Sequence, residues 1–290
     1  MNRLSFWAFL FFKNLFRITP FWAVYCLSDF VFVLIFYVFG YRKKVVISNI
    51  NKAFPKLTQK DKDKIVYNFY KNFADILVEG IKGISLSEKE IVKRYKFINP
   101  ELAQAYYEKD KNIMIAGSHY ANWEWGVLAG APQINHHCIG LYKPLSNKLI
   151  DEHFKKNRAQ LGMNLVAIKN TKKAFLKSYE KPTCFILLAD QSPSNLKRAI
   201  WLEFLGIDTP CLHGPEYYSK QNNIPILYVD VQRVKRGFYE VRYIPIVEDP
   251  EDTKDGDITK TYMKTLENII IEKPEHWLWS HRRWKRKRKE

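Results

Sequence analysis

Twice between residues 111 and 190 the chain rises into a short, unbroken apolar run and ends it on a polar cluster. Ile113 to Ala116, after the Lys111-Asn112 turn, leads through Gly117-Ser118 to His119. Cys184 to Ala189, after Lys181-Pro182-Thr183, leads to Asp190-Gln191. Runs this short and continuous suit strands buried on both faces, as in parallel sheets. His137 to Tyr142 and Leu165 to Ile168 read as further strands. Between them a helix capped by Ser146 runs to Leu161 and stops at Gly162, and another helix starts at Thr171. Strands alternating with helices predict βαβ units, hence an α/β fold with a mixed, largely parallel sheet flanked by helices. Ile224 to Val231 and Tyr239 to Val247 read as a hairpin around Lys235-Arg236-Gly237, and Asp257 to Glu272 as the last amphipathic helix before Pro274.

Both polar clusters fall where such sheets bind ligands, at the carboxyl ends of strands. Asn122 is a good N-cap for a helix running through Val127 and Leu128, which sets His119 just beyond the strand and Glu124 in the first helical turn. The positive end of that helix favours an ionised Glu124. A carboxylate beside an imidazole fixes its tautomer and makes the other nitrogen a better base, so His119 and Glu124 form a candidate proton-abstracting dyad. A histidine and a glutamate at this spacing also occur by chance. The second cluster strengthens the case for a site and supplies a rival carboxylate in Asp190. The residues leave the relay role open between Glu124 and Asp190. A covalent route through Ser118 or Cys184 is an alternative, although neither has a base partner in the sequence.

The amino-terminal 41 residues are far more apolar and aromatic than the rest. Phe6 to Phe16 is nearly all apolar, and after Pro20 the stretch Phe21 to Phe39 carries one charge, Asp29. As a helix the second stretch is about 28 Å long, the thickness of a bilayer's hydrocarbon core. Asp29 at its centre costs about 2.5 to 3.5 kcal/mol of insertion, which the surrounding Phe, Val, Leu and Ile side chains offset. Residues 1–44 are therefore expected to be a membrane-anchoring segment, and residues 45–290 the main domain. Arg42-Lys43-Lys44 favours a cytoplasmic main domain, although Arg3, Lys13 and Arg17 blur the asymmetry. A buried helical hairpin of a soluble domain is the rival reading. The formal net charge of +17 points to an anionic partner, whether nucleic acid, an acidic membrane surface or an acidic protein. Four scattered cysteines lack the spacing of a zinc site, and there is no P-loop or Gly-x-Gly-x-x-Gly run.

Helices fill residues 45 to 110. Thr58 with Asp61 and Ser87 with Glu90 resemble capping boxes, and Pro100 after Asn99 starts a third helix. Phe69, Phe73 and Leu77 recur at helical spacing and are expected in the core. The chain closes on Pro274-Glu275-His276-Trp277-Leu278-Trp279-Ser280-His281-Arg282-Arg283-Trp284 and the basic run Lys285 to Lys289. Tryptophans beside cations suit a membrane interface or nucleic acid, the alternative being a solvated basic tail after a tryptophan-packed turn.

Together these residues resemble the lipid A biosynthesis acyltransferase family, the late lauroyl and myristoyl transferases within the glycerolipid acyltransferase superfamily and its His-x4-Asp/Glu motif. The likeness runs in order along nearly the whole chain. It takes in Tyr41-Arg42-Lys43-Lys44-Val45-Val46 with Asn49, then His119-x-x-Asn122-Trp123-Glu124, and Tyr142-Lys143-Pro144 with Asn147 and Asp151. Arg158, Asp190-Gln191, Phe204 with Gly206, Thr209, Gly214 and the tryptophan-rich close complete it. Ala121 stands where many relatives have glycine, and Lys143 where many have arginine.

The resemblance implies acyl transfer from an acyl-carrier-protein thioester to a hydroxyl of a phosphorylated glucosamine lipid, with no metal or other cofactor. His119, Glu124, Arg158 and Asp190 are the implied catalytic set, Arg158 facing the oxyanion. Asn122, Trp123, Asn147, Gln191, Arg282 and Arg283 are the implied substrate contacts. Arg236 and the tail cations meet lipid phosphates or the acidic carrier protein. The implied setting is the inner membrane with the domain facing the cytoplasm, against anionic lipid and without nucleic acid. The same chemistry on another envelope glycolipid or aminolipid, or a non-catalytic basic surface protein, are the alternatives.

Overall fold

A computed structural model of the chain describes residues 2–288, so Lys289 of the basic run lies outside them. Two helices come first, α1 (Asn2–Ile18) and α2 (Phe21–Val33), the latter continued by a wider turn of helix over Leu34–Val38. Next are α3 (Lys43–Ala53), α4 (Gln59–Gly83), α5 (Glu88–Arg94), the short strand β1 (Tyr95–Phe97) and α6 (Glu101–Glu108). The alternating part holds β2 (Ile113–Gly117), α7 (Trp123–Ala129), β3 (His137–Tyr142), α8 (Lys148–Gln160), β4 (Met163–Ala167), α9 (Thr171–Leu176) and β5 (Thr183–Leu188). The chain ends through β6 (Ile200–Phe204), β7 (Ile207–Cys211), α10 (Gly214–Asn222), β8 (Ile226–Lys235), β9 (Phe238–Val247) and α11 (Asp257–Glu272).

Seven strands form one sheet in the order β1-β9-β8-β2-β5-β3-β4, parallel throughout except at the β8–β9 hairpin. The expected α/β fold is what forms. Every residue of β2 is buried, as the unbroken apolar run requires. The Thr58 and Ser87 side chains accept the backbone N–H of Asp61 and Glu90, so both expected helix starts are built as written. The β6–β7 ribbon was not foreseen. Its turn sets both Leu205 and Gly206 at positive φ, and a leucine gives no sign of that conformation.

Among described residues, Phe21–Val38 is the helix long and apolar enough to cross a membrane, and only 17% of it is buried. One edge of it is nonetheless fastened along its length to α4. Val24, Ser28 and Phe32 are buried, Ser28 donates to Asp75 at 2.6 Å, and Tyr25 donates to Glu79 at 2.9 Å. Lys82 donates to the Phe16 and Thr19 carbonyls at 2.6 and 2.8 Å, closing the elbow between α1 and α2. The fastening residues Asp75, Glu79 and Lys82, with Asn72 one turn before them, follow helical spacing and are all buried. They take the inward positions that the apolar pattern assigned partly to Leu77, which is 41% exposed while Phe69 and Phe73 are buried as expected.

Several charges and aromatics expected at the surface are committed to partners within the fold. Arg236, 36% exposed, pairs with Asp29 and Asp75 at 2.6 Å each rather than standing as a free cation. Arg283 is 0% exposed and donates to the Pro210 carbonyl at 2.8 Å and towards the Cys211 sulfur, so it meets no substrate. Trp277, Trp279 and Trp284 are buried too, their indole N–H groups donating to Asp190, the Pro274 carbonyl and Thr209. An indole whose N–H has a partner gains more by burial than at an interface. Asn49 on α3 donates to the Trp279 and His281 carbonyls at 2.8 Å, tying the tail down.

Asp75 carries the heaviest electrostatic duty in this frame, accepting from Ser28, Arg233 and Arg236 while 3% exposed. Removing a buried partner strands the opposite charge. Asp75→Ala is therefore expected to destabilise the protein by about 3–5 kcal/mol, read as a fall in the guanidinium unfolding midpoint, whereas a change confined to a few tenths would deny it this role.

Candidate active site

The register of two neighbouring strands builds the centre of the site. Gly117 of β2 stands opposite Leu188 of β5, so His119 and Asp190, each two residues further on, leave the sheet side by side. His119 Nδ1 lies 2.7 Å from Asp190 Oδ1, and the His119 backbone N–H donates to Asp190 Oδ2 at 3.0 Å. The Trp277 indole N–H donates to the same Oδ2 at 2.9 Å. An ionised carboxylate only accepts, so Nδ1 carries the proton and Nε2 the lone pair. Gln191 Nε2 lies 3.1 Å from His119 Nε2. The base is thus held through one nitrogen while the other points at the Gln191 amide.

Electrostatics follow from that contact. Burial opposes the imidazolium of His119, but the charge and hydrogen bond of Asp190, with a smaller contribution from Glu124, outweigh it and hold the ring's pKa above the ordinary histidine value. Burial likewise opposes the Asp190 carboxylate, yet the His119 charge and the three donors around it keep its pKa below the ordinary value. His281 accepts the Ser192 N–H at 3.2 Å, and burial above all pushes it down to about 4, so it stays neutral while holding the loop after Asp190.

Glu124 does not pair with His119 as the motif spacing suggested. In the first turn of α7 it faces α8, 45% exposed, and meets Arg158 Nη2 at 3.4 Å. Burial lowers the Arg158 pKa against the opposing charge of Glu124, and its Nε has no hydrogen-bond partner. The two acids are therefore divided, Asp190 to the imidazole and Glu124 to the guanidinium. Trp123 sets its ring edge-on to His119, 5.3 Å between centroids.

Other expected contacts turn out to be framework. Asn122 is wholly buried, accepting the Trp125 N–H at 2.9 Å as helix cap and donating to Glu79 at 2.6 Å, and its burial puts it out of a substrate's reach. Asn147, rather than Ser146, caps α8 by accepting from Leu149 and Ile150, and its amide donates to Ser5 of α1. Arg282 is exposed on the tail. The covalent alternatives fail on geometry. Cys184 is fully buried with its thiol pushed well up by burial, and the Ser118 hydroxyl is bound to the Tyr228 hydroxyl at 2.7 Å inside the core. Among described residues no three His, Cys, Asp or Glu side chains are grouped to hold a metal.

The loop between His119 and Asn122 is pinned by the tail. Leu278 N–H donates to the His119 carbonyl, Ala121 N–H to the His276 carbonyl, and Tyr120 bridges Trp277. Ala121 adopts φ +48°, the left-handed region that favours glycine. Trp277 and Glu79 are the site residues the sequence reading missed. Polar residues at 72, 75, 79 and 82, recurring within an apolar helical stripe, were the available signal for Glu79.

An imidazole held by a buried acid at the carboxyl ends of two parallel strands has the arrangement that can take a proton from an incoming nucleophile. The sequence profile of bacterial lipid A biosynthesis acyltransferases matches residues 1–286. The chain belongs to that family. It is 22% identical to the lipid A biosynthesis lauroyltransferase of Escherichia coli K12 over 248 residues, covering 84% of this chain and 79% of that one. It is 20% identical to the lipid A biosynthesis palmitoleoyltransferase of the same strain over 252 residues, with the same coverage. A lipid A biosynthesis acyltransferase of Shigella flexneri matches at 20%.

The balance at His119 is directly measurable. Replacing Asp190 by asparagine leaves burial but removes the charge that outweighs it. The His119 pKa in Asp190→Asn is expected to move from above to below the ordinary histidine value, followed by NMR titration of the ring nitrogens. A pKa that stays high would mean that Glu124, not Asp190, sets the imidazole.

Proposed function

We propose that this member of the family moves a fatty acyl chain from the thioester of an acyl carrier protein to a hydroxyl of a phosphorylated lipid A precursor, with His119 as general base. The observation that carries the reading is the Asp190–His119 pair, with Nε2 directed away from the carboxylate. An alcohol is a poor nucleophile at neutral pH. Nε2 takes its proton as the oxygen attacks the thioester carbon, and the imidazolium formed is stabilised by Asp190. The carbonyl oxygen becomes an oxyanion, for which Arg158 supplies donors, including the unpartnered Nε. Collapse releases the carrier thiol, which recovers the proton from His119. Gln191 yields its place on Nε2 to the acceptor hydroxyl.

The surroundings suit a lipid. The helices bearing Glu124 and Arg158 each pack on an apolar amino-terminal helix: the Phe21 ring meets Trp125 at 6.3 Å, and Phe9 meets Phe154 at 5.7 Å. The far faces of α1 and α2 expose Trp7, Phe11, Trp22, Phe30 and Val33, and Phe39 is exposed just beyond them. So large an apolar surface marks an interaction site, and anionic lipid complements the net charge. Leaving the domain to cross the bilayer alone would break the Ser28–Asp75 and Asp29–Arg236 contacts. The helices accordingly lie in the cytoplasmic leaflet of the inner membrane, where the carrier protein reaches the site.

The deciding assay incubates purified protein with acyl carrier proteins of several chain lengths and the tetra-acylated precursor, reading products by mass. One added chain is expected, and His119→Ala should lower transfer by about 10²–10⁴-fold without releasing the protein from vesicles. Transfer only to a different glycolipid or aminolipid would overturn the acceptor, and no consumption of thioester would overturn the reaction. Separately, Phe30→Asp with Val33→Asp should weaken binding to anionic vesicles at least tenfold, since each lost apolar insertion is worth about 1.5–3 kcal/mol. Unchanged co-sedimentation would place the membrane contact elsewhere.

A further inference from the structure

Glu79 is 0% exposed and lies outside the reacting groups, yet it touches both the apolar helix α2 and the loop that carries the base. Its Oε1 accepts from Tyr25 of α2 at 2.9 Å. Its Oε2 accepts from Asn122 at 2.6 Å and from Tyr239 of β9 at 2.7 Å, and its backbone carbonyl accepts the Trp125 indole N–H at 2.8 Å. All three side-chain partners are neutral, so the carboxyl group sits in the interior without a direct ion pair, and burial, the largest influence on it, raises its pKa above the ordinary glutamate value.

Asn122 explains what the arrangement accomplishes. Its Oδ1 is committed to the Trp125 N–H, so its Nδ2 must find an acceptor on the Glu79 side. One residue earlier stands Ala121, at a positive φ that an L-residue keeps only when its neighbours hold it. The tail holds this loop from one side and Asp190 holds His119. Glu79 is the hold on the other side. We infer that Glu79 is a positioning residue, which makes the reactive setting of His119 depend on how α2 is seated through the path Tyr25–Glu79–Asn122.

Ser28 supplies the control. It lies one turn after Tyr25 on the same face of α2 and donates to Asp75, from which no hydrogen bond leads to Asn122. Losing either hydroxyl costs the α2–α4 contact a comparable hydrogen bond to a carboxylate. Only the loss at Tyr25 touches the loop.

The inference rests on the acyl-transfer reading for its kinetic test, so a second measurement is independent of turnover. Tyr25→Phe, Ser28→Ala and wild type are compared on vesicles of anionic phospholipid by steady-state kinetics, thermal unfolding, co-sedimentation and NMR titration of His119. The charged or titratable groups around that ring are Asp190, Glu124 and His281, none of them altered. Both variants are expected to melt at similarly reduced temperature and to bind vesicles alike. Tyr25→Phe alone should lose roughly tenfold in kcat at unchanged KM, as a small displacement of a catalytic group produces, and should alone shift the His119 titration. Equal kcat and equal titration in the two variants would overturn the proposal. If wild type consumes no thioester, the transferase reading fails instead, and the His119 titration still decides the role of Glu79.

Discussion

A histidine and an aspartate 71 residues apart share a hydrogen bond because Gly117 and Leu188 are register partners in a parallel pair of strands. Parallel register fixes the heights of the two strand ends relative to each other, so the same number of residues beyond each end brings both side chains to one place. A slip by one residue would turn every side chain of the strand to the opposite face. All five β2 residues are buried, so such a slip would disrupt close packing on both faces of the strand. The chemistry of the site is thereby inherited from the packing of the core.

Within that frame two opposed effects act on His119, and their order decides what the ring can do. Burial alone would make it a weak base. The buried carboxylate wins, because Asp190 is 2% exposed and the low-dielectric surroundings strengthen its attraction for the proton. Asp190 is itself kept ionised by donors from the tail and the His119 backbone. The tail is held in turn by Asn49 and, through Arg283 and Trp284, by the β6–β7 ribbon. Side chains with the composition of a membrane or phosphate contact are spent on holding one carboxylate.

Much of this was legible in the residues. The apolar runs of β2 and β5 and the cap at Asn122 are local signals, and the α/β fold follows from their alternation. That β2 and β5 are neighbours was not legible, because β3 and β4 intervene in sequence and adjacency is set by how helices cover the sheet. The spacing from His119 to Glu124 pointed to a dyad, but the helical turn after Asn122 rotates Glu124 towards Arg158 on α8. The tail tryptophans and Arg283 misled for a different reason. Amphipathic side chains carry no local mark of whether their polar atoms will meet water or an interior acceptor such as Thr209 or the Pro210 carbonyl. Family resemblance supplied the ordered motif, and the geometry divided its acids between two partners.

The placement of Trp277 has a consequence for biosynthesis. The ribosome makes α1, α2 and α4 early, and every strand of the sheet is complete before the indole that donates to Asp190 is translated. Domains fold as units, so the site closes only once the segments that build it have all emerged. A nascent chain thus acquires its greasy helices and its imidazole well before the last donor arrives to tune that imidazole, and chemical competence is the final property the growing polypeptide gains.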